Sequence, residues 1–225
     1  MLLNLFSIFD PATSLNHWFE LNWIFMIFIP LFMPYSFWFK KNKFFIFINL
    51  LLMFLFKEMN NLLKTKNYNN INFFLMIFFM ILTFNFLGLF PYIFNPTSHL
   101  VISLTLSLPI WLGIMFYGWF NFSKHMLSHL IPLGTPSILM PFMVMIETIS
   151  NIIRPSTLAI RLSANMVAGH LLLCLLGSTE ENIINNYILF ILLTIQMLLL
   201  TLEISVSIIQ SYVFMTLSSL YSNEI

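Results

Sequence analysis

Apolar runs dominate the chain, and short polar breaks divide it. Residues 1–20 are mixed, with Asp10-Pro11 reading as a turn. Leu21 to Phe39 is apolar and aromatic, close to the ~20 residues that cross ~30 Å of hydrocarbon. Pro30 and Pro34 are expected to bend this span, and Trp18, Trp23, Tyr35 and Trp38 suit its two interfaces. Residues 40–70 carry Lys40, Lys41, Lys43, Lys57, Lys64 and Lys66 around an apolar core of about 13 residues, Phe44 to Phe56. That core is short for a span. It reads as a helix lying on or dipping into the membrane surface, with a second short span as the competing reading. Residues 71–93 hold the next span, with Asn85 inside it and Gly88 and Pro91 at its end. The loop 94–100 follows, and residues 101–122 return across the membrane, interrupted by Pro109, Gly113 and Gly118. Residues 123–136 form a basic loop with Lys124, His125 and His129.

Two longer stretches complete the chain, 137–176 and 187–220, separated by an acidic loop with Glu180 and Glu181. At 1.5 Å per residue, a 40-residue helix is ~60 Å long, too long to stand upright in a bilayer. Such helices must tilt steeply, bend or break, and Pro141 and Pro155 are the natural bend points in the first. The whole chain reads as a single all-α membrane domain, 1–225, with about five crossings plus the surface or re-entrant helix. All the lysine-bearing loops fall on one side. By the positive-inside rule, the N-terminus lies outside and the C-terminus inside.

The polar residues inside these runs change the picture. A charge near the bilayer centre costs about 2.5–3.5 kcal/mol on insertion scales. Residues 147–174 nevertheless keep Glu147, Arg154, Arg161 and His170 in one apolar stretch. Glu147, Arg154 and Arg161 recur every seven residues, so they share a helix face with only ~20° of drift per step. The rest of that face is small or polar: Thr157, Ala164, Asn165 and Ala168. Three of the chain's four alanines lie in this stretch, and small residues let another helix come close. The last long helix carries a matching stripe, Gln196, Glu203 and Gln210, with Ser207 beside it. Two tilted helices with matched stripes can satisfy each other's polar groups. His170, nine residues past Arg161, falls on nearly the opposite face, ~13 Å along the axis.

Glutamate and histidine can pass protons, whereas an always-charged arginine is a barrier. The blander readings stay open at this point. Arg161 could be a structural arginine paired with Glu203 or a lipid phosphate. Arg154 could simply snorkel. His170 could be a packing histidine, and Asn85 and Gln196 could be helix–helix glue. His99, His125 and His129 read as solvated loop residues.

Composition narrows the class. Of 225 residues, 60% are hydrophobic and 8% charged, against roughly 25% charged in a soluble domain. Mean hydropathy is +0.93. A net charge of +1 argues against nucleic acid as a partner. The lone cysteine, Cys174, excludes an internal disulfide and reads as a packing residue. No signal or transit peptide is evident at the N-terminus. Nothing suggests a cofactor or a metal: there is no histidine pair with ligand geometry, no glycine-rich phosphate loop and no nucleophile–base arrangement. This chain carries no nucleotide site or covalent chemistry of its own. A self-contained channel or antiporter, or a purely structural subunit, would compete with a coupled proton translocator.

The run Ser156 to Leu173, STLAIRLSANMVAGHLLL, resembles the signature of subunit a of the rotary F-type ATP synthase in its mitochondrial form. NFLGLFPY (85–92), the Glu147…Arg154-Pro155 lead-in and EISVSIIQSYVF (203–214) extend the resemblance over essentially the whole chain. Ser163 is a small departure, and the first 70 residues match only in character. The richness in Phe and Met and poverty in Ala is that of AT-rich coding, as in insect mitochondrial genomes.

The resemblance implies a proton-translocating stator subunit of the F0 sector. It implies two long, strongly tilted helices and a place in the mitochondrial inner membrane, N-terminus in the intermembrane space and C-terminus toward the matrix. Arg161 then matches the arginine facing the carboxylate of each rotor (c-ring) helix. His170 and Glu203 match groups of an outer half-channel, and Glu147 an inner one. Asn165 and Gln210 match polar residues near the arginine, with Arg154, Asn85, Gln196 and Ser207 as accessory candidates. The implied partners are the c-ring, other F0 stator subunits including subunit b and small membrane subunits, and lipid.

Overall fold

The computed structural model describes residues 9–11, 22–23, 42–63, 70–90, 93–131, 136, 139–180 and 186–224. These form an all-α protein. The expected first span, 21–39, lies outside the described residues apart from Asn22 and Trp23. In chain order, α1 is Lys43–Leu62, α2 Ile71–Gly88, α3 Leu100–Asn121, α4 Ser123–His129, α5 Met140–Glu180 and α6 Asn186–Glu224. A 3₁₀ turn, Pro96–Ser98, stands between α2 and α3. Among the described residues, five helices are long and apolar enough to cross a membrane: α1, α2, α3, α5 and α6.

Two expectations change here. The apolar core 44–56 sits inside a 20-residue helix that runs on through Lys57 and Glu58. The polar residues do not end it, because Leu55, Met59 and Leu63 continue its buried face at helical spacing. The basic segment after α3 is not all loop, since Ser123–His129 is helical.

α5 is unbroken over 41 residues, with Pro155 inside it, and α6 over 39. At 1.5 Å per residue, each is ~60 Å long, about twice the hydrocarbon thickness. Proline lacks the N–H that would bond the carbonyl four residues earlier, so Pro155 leaves the Asn151 carbonyl without its helical partner.

α2 is the hub. On one side, its Phe74, Leu75 and Phe78 pack with Leu55 and Met59 of α1, with Leu63 just past its end, and with Met215 of α6. Further along, Ile81 packs with Leu158 and Leu162 of α5 and with Phe214 of α6. α3 packs on α5, and α5 on α6. Serines make these approaches close: Ser207, Ser211, Ser218, Ser219 and Ser222 of α6 and Ser103 and Ser107 of α3 are all buried. In hydrocarbon a hydroxyl needs a partner, and these bond back to their own helix. Ser211 donates to the Ile208 carbonyl at 2.7 Å, and Ser103 to that of Leu100 at 3.0 Å. Large apolar side chains such as Phe47, Met53, Met76, Phe190 and Met197 turn outward, as a lipid solvent requires.

The link between α2 and α3 is not a solvated loop. Asn95, Pro96, Thr97 and Ser98 are buried against α2, α3 and α5. His99, expected to be solvated, is half-buried between the rings of Trp23 and Phe94, at centroid distances of 5.4 and 5.3 Å. Aromatic packing, rather than water, surrounds it.

Candidate functional site

The middle of α5 has two clean faces. Leu158, Ala159, Leu162, Ser163 and Met166 are buried, while Thr157, Arg161, Ala164, Asn165 and Ala168 are exposed. Arg161 therefore stands on an open face whose neighbours are small. Among the described residues, no carboxylate lies within ion-pair distance of it. The pairing of Arg161 with Glu203 weighed from the sequence is not formed.

The seven-residue stripe divides by partner. Arg154 reaches Glu147, Nη2 to Oε1 at 3.7 Å, and its guanidinium carbon sits 5.2 Å from the centre of the Tyr221 ring of α6. These residues, with Asn151, Trp111 and Trp119, line a cavity of about 360 Å³. Arg154 therefore has partners on both α5 and α6.

A second cavity, of about 670 Å³, lies beyond Arg161 in the other direction. His170, Asn95, Gln196, Asp10, Asn22 and Cys174 are among its lining residues. His170 faces Asn95, whose Nδ2 is 3.3 Å from its Nε2, and the ring of Phe9 meets it edge-on. Arg161 lines neither cavity. It is seven residues from Arg154 and nine from His170, ~10 and ~13 Å along the axis.

Between α5 and α6, Asn165 donates through Nδ2 to Gln210 Oε1 at 3.1 Å, so this part of the matched stripes does satisfy itself. Glu203 does not join it. Its side chain is buried, 7% exposed, and neither carboxyl oxygen meets a hydrogen-bond partner among the described residues. It rests on Gly169, where a β-carbon would stand 2.6 Å from Oε1. The sequence had His170 looking toward Glu203, and the residue lying against its carboxyl is the glycine before His170. A glycine is the only residue that leaves room for the carboxyl there.

Asn85 is fully buried, and its amide atoms have no hydrogen-bond partner among the described residues, so it does not act as the expected glue. One turn away, Ile81 packs with Leu158, Leu162 and Phe214, side chains that offer no donor or acceptor. Ser207 spends its hydroxyl on the Ile204 carbonyl at 2.7 Å. The sequence reading missed Asn95 and Tyr221, and it gave Gly88 and Gly169 no role although both lie in the family-like runs 85–92 and 156–173.

A family model described as ATP synthase A chain matches residues 19–223. Proteins called ATP synthase subunit a from Anopheles quadrimaculatus and Drosophila melanogaster are 53% and 52% identical to the chain. The one from Aedes aegypti is 51% identical. In all three, the similarity covers 100% of both chains. The similarity runs from end to end, and the chain belongs to the ATP synthase A chain family, the multi-pass, proton-translocating subunit of the F0 sector.

Proposed function

We propose that this subunit moves protons through two offset half-channels in the mitochondrial inner membrane, with Arg161 as the divider between them. The observation that carries the reading is the arrangement along α5: a cavity holding Glu147 and Arg154, then the exposed Arg161, then a cavity holding His170. One continuous pore would dissipate the gradient. Two separated paths force each proton to ride a moving carrier between them, the carboxylate of a c-ring helix.

The lysines of the described inner segments, Lys43, Lys57 and Lys124, support an inner location for the Glu147 end by the positive-inside rule. A rotor carboxyl takes a proton from the outer path through His170 and Glu203 and turns away neutral through lipid. It loses the proton on the inner side, by Glu147. Arg161, always charged, attracts the ionised carboxylate and bars direct passage between the paths. At an effective dielectric constant near 20, two charges 4 Å apart attract by about 4 kcal/mol. The membrane potential supplies ~2.3 kcal/mol per charge per 100 mV against this attraction. The small residues Ala164 and Ala168 beside Arg161 let a rotor helix pass closely. Subunit b, small membrane subunits and lipid cover the remaining apolar faces.

The test is Arg161→Ala in the assembled complex. Proton-driven ATP synthesis is expected to vanish while the subunit still assembles with its partners. Normal synthesis would sink the assignment. Reconstituted alone, the subunit is expected to carry no current, which a self-contained channel would.

A further inference from the structure

We propose that Asn95 is a positioning residue that holds His170 in a single neutral tautomer, with its proton on Nδ1. It thereby sets the outer-side pH at which the ring takes up a second proton. The inference rests on the reading of His170 as an outer half-channel group.

The argument starts from Thr97. Asn95 Oδ1 accepts from the Thr97 backbone N–H at 3.2 Å and from the Thr97 hydroxyl at 2.7 Å. A backbone N–H can only donate, so the oxygen side of the amide is fixed toward Thr97. The other side, Nδ2, then points at His170 Nε2 across 3.3 Å. An amide NH₂ has only hydrogens to offer, so Nε2 must be the acceptor. A neutral imidazole has one acceptor nitrogen, which puts the proton on Nδ1.

A second proton, arriving at Nε2 from the cavity, turns that acceptor into a donor. Two donors then face each other, and the contact has to open. Turning the amide over gains nothing, because Nδ2 would then face the Thr97 backbone N–H, donor to donor, and the bond won at His170 would be lost there; only the Thr97 hydroxyl could turn to accept. The amide also has a wall behind it: a β-carbon at Gly88 would stand 2.6 Å from Asn95 Cγ. Asn95 is 7% exposed and forms part of the cavity wall beside His170.

Other ionisable groups surround the ring. Asp10 and Cys174 line the same cavity, and Glu203 of α6 rests against Gly169, the residue before His170. An ionised Asp10 or Glu203 would favour the charged ring, whereas Asn95 favours the neutral one. The amide therefore tunes the carrier without carrying a proton itself.

The experiment measures ATP synthesis by the assembled enzyme in inner-membrane vesicles, at fixed total driving force, as outer pH is varied. Asn95→Asp keeps an acceptor for both Thr97 donors, so the turn is preserved, and it presents His170 with a carboxylate. The outer-side pH midpoint is expected to rise by about one unit. Asn95→Ala removes the donor alone and is expected to raise it by roughly half a unit. In a His170→Gln background, Asn95→Asp is expected to leave the profile unmoved. An unchanged midpoint in assembled Asn95→Asp overturns the proposal, and so does a shift that persists without His170. If His170→Gln by itself matches the wild type in rate and profile, the half-channel reading of His170 falls, and this inference with it. If His170→Gln slows synthesis but Asn95→Asp shifts nothing, only the role of Asn95 is refuted.

Discussion

The carboxyl of Glu203 on α6 lies against the backbone of Gly169 on α5, so closely that a β-carbon there would come within 2.6 Å of Oε1 and 2.8 Å of Cδ. Gly169→Ala must push the carboxyl aside, and misplacing a transfer group by about 1 Å can cost on the order of a hundredfold in rate. Proton-driven synthesis is expected to fall ten- to a hundredfold, with no rise in passive proton conductance, because the substitution leaves untouched the Arg161 divider proposed above. Gly113→Ala and Gly177→Ala are the controls: a β-carbon at either meets nothing within 4 Å. Both should leave synthesis unchanged. Equal loss at all three glycines would mean that helix packing, not Glu203, is what residue 169 protects.

The contact between Glu203 and Gly169 also marks how far the sequence could be read. Seven-residue spacing put Glu147, Arg154 and Arg161 on one face because helical period is a local property. It could not assign partners, because those depend on what packs across the face. Tyr221 of α6 draws Arg154 to one side, and Arg161 is left on open surface. The burial of the 94–100 segment, read as an outer loop with a solvated His99, was hidden for the same reason: its polar residues bond one another, as Asn95 does with Thr97, and so can be buried. The apolar core 44–56 is shorter than α1 because Lys57 and Glu58 end an apolar run without ending a helix. Glu58 has a partner that lies 154 residues away in sequence.

That partner is Tyr212, whose phenolic O–H donates to Glu58 Oε1. The bond ties α1 to α6 where both also meet α2. A hydrogen bond to a charged group contributes about 1.5–3 kcal/mol. Tyr212→Phe should therefore raise hydrogen exchange of the α1 backbone by about tenfold or more, since 1.4 kcal/mol is a factor of ten. Exchange in α5 should stay as it was. No change in α1 would mean that its apolar contacts alone hold it.

Asn165 and Gln210 offer a cleaner measure of polar packing inside the bilayer. Their amide bond spans 3.1 Å between α5 and α6, and Gln210 is buried. Interhelical hydrogen bonds in membranes average about 0.6 kcal/mol and reach about 1.7. A double-mutant cycle with Asn165→Ala and Gln210→Ala, read by unfolding in detergent, is expected to give a coupling within that range. Gln210→Ala alone should cost less than Asn165→Ala alone, because the second leaves a buried amide unpaired. A coupling of zero would place the two amides in separate environments.

Glu147 and Arg154 separate stability from transport. Their ion pair is 3.7 Å long, and the side chains are 31% exposed for Arg154 and 39% for Glu147, so screening keeps its worth to about 0–1 kcal/mol. Arg154 adds a stacking contact on Tyr221, about 0.5–1 kcal/mol at such a site. Arg154→Gln should therefore lower stability by no more than about 1–2 kcal/mol, and the subunit should still assemble. Transport should respond differently. Only Glu147 can release and rebind a proton, while Arg154 stays charged throughout. Glu147→Gln is expected to slow proton-driven synthesis by about a hundredfold, the low end of what general acid–base groups contribute. Arg154→Gln should slow it by much less, because the carboxylate remains. Comparing the two rates in vesicles, with assembly checked in each, decides the matter. Equal losses would make the ion pair itself, rather than the carboxylate, the working element of the inner path.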